Sequence, residues 1–477
     1  MDNIDVLIVG GGISGLTVAR LLANEGIHVE VWEKDNRPGG KINTEMYQGY
    51  RLEQSASMVV NFRTDVKRFL SESDLDTCKT PLTLIKKRYL IFDNQLHPLP
   101  LKLLPMITSP LWSWRGKLRM AMEPFISGGG HEDETVANFI RRRLGNEILE
   151  KAMEPYIAGL LASDAEYANA FCTLPRLTAL ERRYGSIILG ILAHKLLGRR
   201  TAIPVETFSF KTGMSTLTNT LAGSDGITFR SGCNAIELIR YRDGWRICGH
   251  SSEAEYLLQA RQIVLSIPAD AAASLTSTLD PELSELLCGI KYALLAVVHT
   301  GFNRNSITHP LDGNGFLAPR NSNLVTTGCL WMSSLFPDRA PEGKVLLSNY
   351  LGGARLPEAA TWNEEKSVNE IMRGLKPLLG IKNDPEMVHI HRHEQGLPLY
   401  YGAYQARTNA IARRLGYLPG LHLAANYLGG VSIRDRIACA YIIANRILSE
   451  LKQATRISVK HYFKVPEVEV ETGKAGL

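Results

Sequence analysis

Gly10, Gly12 and Gly15 stand where an apolar run, Asp5-Val6-Leu7-Ile8-Val9, gives way to an Ala/Leu-rich segment, Thr17 to Asn24. This is the G-x-G-x-x-G spacing, whose chemistry is the cradling of a diphosphate by bare backbone. The first glycine permits a tight turn, the second lets the chain approach a pyrophosphate, and the third lets helix pack on strand. Gly11, Ile13 and Ser14 complete a helix start that offers unpaired N–H groups and a positive dipole end. Glu33 closes a second apolar run, Ile27 to Trp32, near the spacing of a carboxylate that accepts a ribose hydroxyl. Directly after it comes Asn36-Arg37-Pro38-Gly39-Gly40-Lys41. A glycine pair at that place lets the chain turn close to an extended dinucleotide, with Arg37 near its phosphates. This selects FAD over a nicotinamide cofactor.

Positioning these residues takes a buried parallel strand, a tight turn, a helix and a second strand. The fold class expected is α/β: a Rossmann-like FAD-binding domain built from discontinuous segments, a mixed α+β substrate domain, and an inserted helical, membrane-contacting region. Segments 1–90, 206–270 and 401–452 read as the FAD-binding domain, 91–205 as the helical insertion, 271–400 as the substrate-binding domain and 453–477 as a flexible tail. Strands are expected at Gly244 to Ile247, Gln262 to Ile267, Leu295 to Gly301, Val345 to Asn349, Met387 to His393 and Leu421 to Ala425. Asp133-Glu134-Thr135-Val136 starts a helix with acids that suit its dipole, and another helix runs from Asp435.

With 477 residues, 45% hydrophobic and 21% charged, the chain has the composition of an ordinary globular protein of two or three domains. A net charge of +6 does not suggest nucleic acid, though it suits an anionic substrate or an acidic lipid surface. Seven cysteines are widely spaced with no C-x-x-C pair, which fits a reducing compartment and argues against disulfides or a zinc–thiolate site. No signal peptide or membrane-spanning run is visible, so the cytoplasm is the expected location. Between Leu99 and Ile126, Trp112 and Trp114 lie among Leu, Met and Pro with Lys102, Arg115, Lys117 and Arg119 nearby. That mixture suits peripheral contact with the inner face of a membrane, and it also suits a covered core.

Further motifs carry a resemblance. Glu154-Pro155-Tyr156-Ile157-Ala158-Gly159-Leu160, Leu180-Glu181-Arg182-Arg183-Tyr184-Gly185-Ser186-Ile187-Ile188, Phe210-Lys211-Thr212-Gly213-Met214-Ser215-Thr216-Leu217 and Leu421 to Asp435 are similar to segments of the protoporphyrinogen oxidase family. That family lies within the FAD-dependent, amine-oxidase-like flavoproteins. The resemblance implies that Gly10, Gly11, Gly12, Ile13, Ser14, Gly15, Glu33, Lys34, Arg37, Gly39, Gly40 and Lys41 bind the nucleotide half of FAD. It implies that the backbone of Ala235 faces the adenine. Gly430, Val431, Ser432 and Ile433 would place backbone donors near the pyrimidine end of the flavin ring. Arg88 matches an arginine that pairs with a substrate propionate, a task its planar fork suits.

The chain departs from the family at positions near the substrate. Ser57 stands where the family has an Asn, His393 where it has a flavin-stacking Trp, and Leu399 where it has a Gln. His389, His391 and His393 alternate, so on a strand they share one face. No further ligand of suitable type adjoins them, no metal is expected, and they read as a polar wall of the cofactor cleft. Leu330, Trp331 and Met332 suit an apolar lining of that cleft and suit the packing of a core at least as well. No Ser/His/Asp set or paired-carboxylate motif is present. The chemistry implied is flavin-driven removal of hydride from a planar, carboxylated small molecule, with oxygen as acceptor. Three readings stay open: a porphyrinogen oxidase, a paralogous FAD oxidase or dehydrogenase on another cyclic or amine substrate, and a non-catalytic flavin-binding partner. The oligomeric state is open, a homodimer included.

Overall fold

The structure, a computed structural model, describes residues 3–83, 87–100, 108–196, 204–252 and 254–459. The opening run forms the strand Asn3–Val9, in which Val6, Leu7 and Ile8 are wholly buried. Burial on both faces is what a central parallel strand requires. Its parallel neighbours are Val29–Trp32 and the second half of Glu255–Leu265. Ile227–Arg230 extends this layer at one edge and Leu421–Leu423 at the other. The first half of Glu255–Leu265 pairs antiparallel with Gly244–His250, which pairs in turn with Asn234–Tyr241. One long strand therefore serves both a parallel layer and an antiparallel meander.

Helices Ile13–Ala23 and Ile433–Val459 cover one face, burying Leu16, Leu22, Ile437, Ala440 and Ile447 in a common core. The last helix starts at Ile433 rather than Asp435 and continues to Val459, past the boundary placed at 453; residues 460–477 lie outside the described residues. The opposite face is covered by Ala269–Thr276 and Pro281–Cys288, whose Ala272, Ala273, Leu283 and Leu287 pack with Trp245 and Ile263. By packing, these two helices belong to this first sheet, although most of their residues fall within 271–400, the segment expected to form the substrate-binding domain. Small alanine faces allow them to fold back onto the sheet they follow.

A second seven-stranded sheet runs, in spatial order, Met387–Pro398, Tyr292–Asn303, Lys344–Gly352, Gly328–Trp331, Gly313–Leu317, Lys87–Phe92 and Gln95–Pro98. The last two strands correct the expected boundaries near residue 90: they belong to neither the cofactor domain nor the helical insertion. Lys87–Phe92 pairs in parallel with Gly313–Leu317, a match between distant segments that no local pattern reveals. Trp331 and Met332 are core residues at 0% and 1% exposure rather than cleft lining, whereas Leu330 is half-buried.

The insertion is helical, with Trp114–Ala121, Val136–Arg143, Glu154–Leu161, Pro175–Tyr184 and Ile187–Leu196. Thr135 caps its helix by accepting the Asn138 N–H. Glu123 and Arg143, both wholly buried, form an ion pair at its centre. The Glu123 carboxylate also accepts the Ile187 and Ile188 N–H groups at 2.9 and 3.1 Å and the Ser186 hydroxyl at 2.5 Å. Arg143 in turn donates to the Gly185 carbonyl, and Glu181 pairs with Arg142. The L-E-x-x-x-G-S-I-I segment is thus an ionic lock of the insertion. The E-P segment docks the insertion on the second sheet: Glu154 pairs with Arg355 and Arg320, and a methyl on Gly159 would strike Leu317 at 2.4 Å.

Candidate functional site

The opening turn is built as its glycines require. Gly10 has φ +106°, donates its N–H to the Trp32 carbonyl, and has no room for a Cβ, which would sit 2.5 Å from the Ser266 oxygen. A Cβ on Gly15 would sit 2.3 Å from the Gly10 oxygen. Gly12 differs: a methyl there meets nothing within 4 Å. Gly12 is also the N-cap of the first helix, with no side-chain cap and no acid in the first turn. The N-terminal end that begins with Ile13 and Ser14 therefore keeps its positive dipole uncompensated by side chains. An open cradle at a helix start with no capping side chain suits an anionic diphosphate, the Gly11 N–H of the same turn being taken by Glu33.

Glu33, 6% exposed, accepts the Gly11 N–H at 2.7 Å and the Asp35 N–H at 2.9 Å. Burial raises its pKa above the usual carboxylate value, and the two backbone N–H bonds pull the other way. The backbone of Cys233 donates to the Glu33 carbonyl and that of Gly232 to the Asp35 carbonyl. These bonds lay the segment bearing the half-buried Ala235 beside the end of the second strand, with Lys34 exposed at the rim. Gly39 donates to the Gly11 carbonyl, and a methyl on Gly40 would lie 3.5 Å from the Gly12 Cα. The two glycine turns form facing walls. Arg37 braces its own loop, donating to the carbonyls of Pro38, Gly40 and Ile42 at 3.2, 2.9 and 3.3 Å.

From this loop the chain crosses to the second sheet. Lys41 donates from Nζ to the Gly396 carbonyl at 2.8 Å, and burial lowers its pKa to about 8 against the pull of Asp270. His393 Nε2 lies 2.8 Å from the Gln54 carbonyl, and burial lowers its pKa against the pull of that bond. Ser57 is 6% exposed and interacts with the hydroxyl of Tyr350, whose pKa burial raises to about 12. Lys41, Ser57 and His393 are thus brought to the junction of the two sheets. Leu399 lies just past the strand, its N–H bonded to the Lys291 carbonyl, beside the buried Tyr400.

The C-terminal turn approaches with Gly429 and Gly430 at φ +75° and +105°. Ser432 and Asp435 cap each other reciprocally: the Ser432 hydroxyl donates to the carboxylate at 2.6 Å, and the Asp435 N–H donates to Ser432 Oγ at 3.2 Å. Arg436, buried beneath, donates to the carbonyls of Ala425 and Leu428 and pins the turn. Gly430, Val431 and Ser432 stay half-buried and Ile433 is buried, so partly open backbone is presented at a helix start.

Arg88 lies on the strand Lys87–Phe92, exposed, and carries no ion pair among the described residues. Its neighbours Lys87 and Tyr89 point to the other face and share Asp312. Two features escape sequence reasoning. Glu53, 1% exposed, pairs with the equally buried Arg339 at 2.9 Å and accepts the Met214 N–H, which holds the Gly213–Met214 turn. Glu45 lies beside His389 and His391, whereas His393, farther along the strand, faces Gln54. Both arrangements join residues far apart in sequence and leave no local signature.

Known proteins share this architecture. A solved Exiguobacterium protein, provisionally named a protoporphyrinogen oxidase, superposes with a TM-score of 0.77 at 22% identity, over 95% of this chain and 100% of its own. The mitochondrial protoporphyrinogen oxidase of Nicotiana tabacum is 28% identical, covering 96% of this chain and 97% of that protein. The coproporphyrinogen III oxidase of Bacillus subtilis is 27% identical, over 91% and 95%. The sequence profile described as flavin containing amine oxidoreductase matches residues 13–448, which takes in the helix after the glycine turn, the first sheet apart from its opening strand Asn3–Val9, the whole second sheet and most of the last helix. The chain belongs to the flavin containing amine oxidoreductase family.

Proposed function

We propose that this protein is an FAD-dependent oxidase that removes hydride equivalents from a porphyrinogen-type tetrapyrrole, with oxygen as the final acceptor. FAD supplies the electron acceptor when bound. Gly10 to Gly15, Glu33, Gly39 and Gly40 would hold its nucleotide half. Gly430 to Ile433 would offer backbone donors where negative charge develops. Lys41, Ser57 and His393, which lie where the first and second sheets meet, would flank the substrate there. The observation that carries the substrate class is Arg88: an exposed guanidinium with no carboxylate partner among the described residues suits a propionate. The tobacco and Bacillus relatives, named for protoporphyrinogen and coproporphyrinogen, support the same class.

A second reading, a different cyclic or amine substrate, draws on His393 against Gln54 and on Ser57 against Tyr350. Anaerobic bleaching of the flavin separates the two. Rapid bleaching by coproporphyrinogen or protoporphyrinogen, followed by peroxide on admitting air, is the result expected. Bleaching only by other donors favours the second reading, and none by any donor a non-catalytic flavoprotein. Arg88→Ala is expected to raise KM about thirtyfold, from the roughly 2 kcal/mol of one charge-assisted pair, with kcat unchanged. An unaltered KM removes Arg88 from the substrate site.

Peripheral membrane contact belongs to this proposal. Among the described residues no helix is long and apolar enough to cross a membrane. The expected segment 99–126 divides: residues 101–107, Lys102 among them, lie outside the described residues, and Trp112 is core at 4% exposure. Trp114 and Phe125 are 78% and 79% exposed, and Leu196, on the helix that Glu123 caps, is 83% exposed. Lys117 sits over the Trp114 ring, and Arg115 is exposed beside it. Large apolar tips flanked by cations suit an anionic lipid surface. Flotation with phosphatidylglycerol vesicles is expected to carry the protein upward. Trp114→Asp combined with Phe125→Asp should cut partitioning about a hundredfold, since each buried side chain contributes roughly 1.5–3 kcal/mol. A wild type that stays at the bottom of the gradient ends this part of the proposal.

A further inference from the structure

The hairpin strand Thr44–Tyr47 lies against the second sheet's edge strand Met387–Pro398. There Glu45 Oε2 is 3.4 Å from His389 Nε2 and 3.6 Å from His391 Nε2. These separations are long for N–H···O hydrogen bonds, which cluster near 2.9–3.0 Å. They match the edge of a tetrahedron with metal–ligand bonds of about 2.0–2.1 Å, which is roughly 3.4 Å. All three ligand atoms lie within 4.8 Å of one another. His391 Nε2 is buried without a hydrogen-bond partner among the described residues, an arrangement that costs free energy unless something else satisfies it.

We propose that Glu45, His389 and His391 form a binding site for one divalent transition-metal ion of the zinc class, with the fourth position left to water. Two imidazole nitrogens and one carboxylate oxygen are a donor set that zinc accepts with one position open. Side-chain exposures of 24% for His389, 11% for His391 and 37% for Glu45 leave a route for ion and water from solvent. The ligand missing from the histidine run is supplied by a hairpin near the other end of the chain. Tyr47 of that hairpin tilts onto the His389 ring at 4.5 Å and His299 stands edge-on to His391 at 5.6 Å, so both rings are held in place. His299 itself is committed through Nδ1 to Ser348. A bound ion fastens the hairpin, whose Glu53 holds the Gly213–Met214 turn, to the strand whose Gly396 and His393 meet the cofactor loop.

The test uses tag-free, full-length, flavin-loaded protein stripped with a chelator and dialysed against micromolar zinc. One equivalent bound in the wild type is expected. Glu45→Gln, His389→Ala and His391→Ala should each weaken it by more than the roughly ten- to hundredfold that loss of an outer partner costs. Cobalt should give intense visible bands of four-coordinate geometry in the wild type and lose them in the variants. Glu45→Gln changes one partly exposed oxygen, so it carries the test if a histidine variant unfolds. A wild type that binds no zinc, or variants that retain the full equivalent, overturns the site.

Discussion

Replacing Gly12 by alanine is expected to give a normally folded protein that no longer holds its flavin. The backbone of Gly12 sits at φ −76° and ψ 173°, which any residue adopts, and an added methyl touches nothing in the chain. Thermal and urea stability should therefore stay within about 0.5 kcal/mol of wild type. The methyl instead fills the space a pyrophosphate needs. Losing two charge-assisted amide bonds, about 3–4 kcal/mol together, would weaken flavin binding by roughly two to three orders of magnitude. Gly10→Ala and Gly15→Ala provide the contrast, because their methyls strike backbone and should destabilise the fold itself. Purified Gly12→Ala protein as yellow as wild type would remove the diphosphate from this cradle.

Glu123→Ala is expected to cost about 3–5 kcal/mol, the range for stranding one partner of a buried ion pair. Arg143 would be left charged at 0% exposure with Glu181, 3.5 Å away, as its remaining ionic partner, and the Ile187 and Ile188 N–H groups would lose their acceptor. The double variant Glu123→Met, Arg143→Met should recover much of that loss, because it strands no charge. Burial pushes the Glu123 pKa up, but Ser186, the two backbone N–H groups and Arg143 outweigh it and hold the carboxylate below its ordinary value. A folded pKa below the unfolded one adds stability that is complete at neutral pH and is lost as acid protonates the group. Urea midpoints of the single and double variants at neutral and acidic pH measure both effects. Equal midpoints for wild type and Glu123→Ala would show that the pair carries no net stability.

The opening turn is legible in sequence because each requirement there is local: a positive φ at Gly10, a close approach at Gly15, an open side at Gly12. The C-terminal turn is legible for the same reason, through Gly429, Gly430 and the Ser432–Asp435 cap. The edge of the second sheet is not. Lys87–Phe92 looks like any short strand, and only its parallel partner Gly313–Leu317 decides which sheet it joins. Likewise the alternation of His389, His391 and His393 gives their common face but not what meets it, which is Glu45 for two and Gln54 for the third. Trp331 shows a different ambiguity, since an aromatic residue on a strand has the same pattern whether it lines a cleft or fills a core, and burial decides for the core.

The strand Glu255–Leu265 has a consequence for biogenesis. It receives residues 3–9 along one edge and 421–423 along the other, so the parallel layer closes only when both distant segments have arrived. Such long-range closure is slow and leaves strand margins exposed meanwhile. During translation the nascent polypeptide therefore waits, with its parallel layer unfinished, until residues 421–423 have emerged, and a chaperone would have its longest window on that margin.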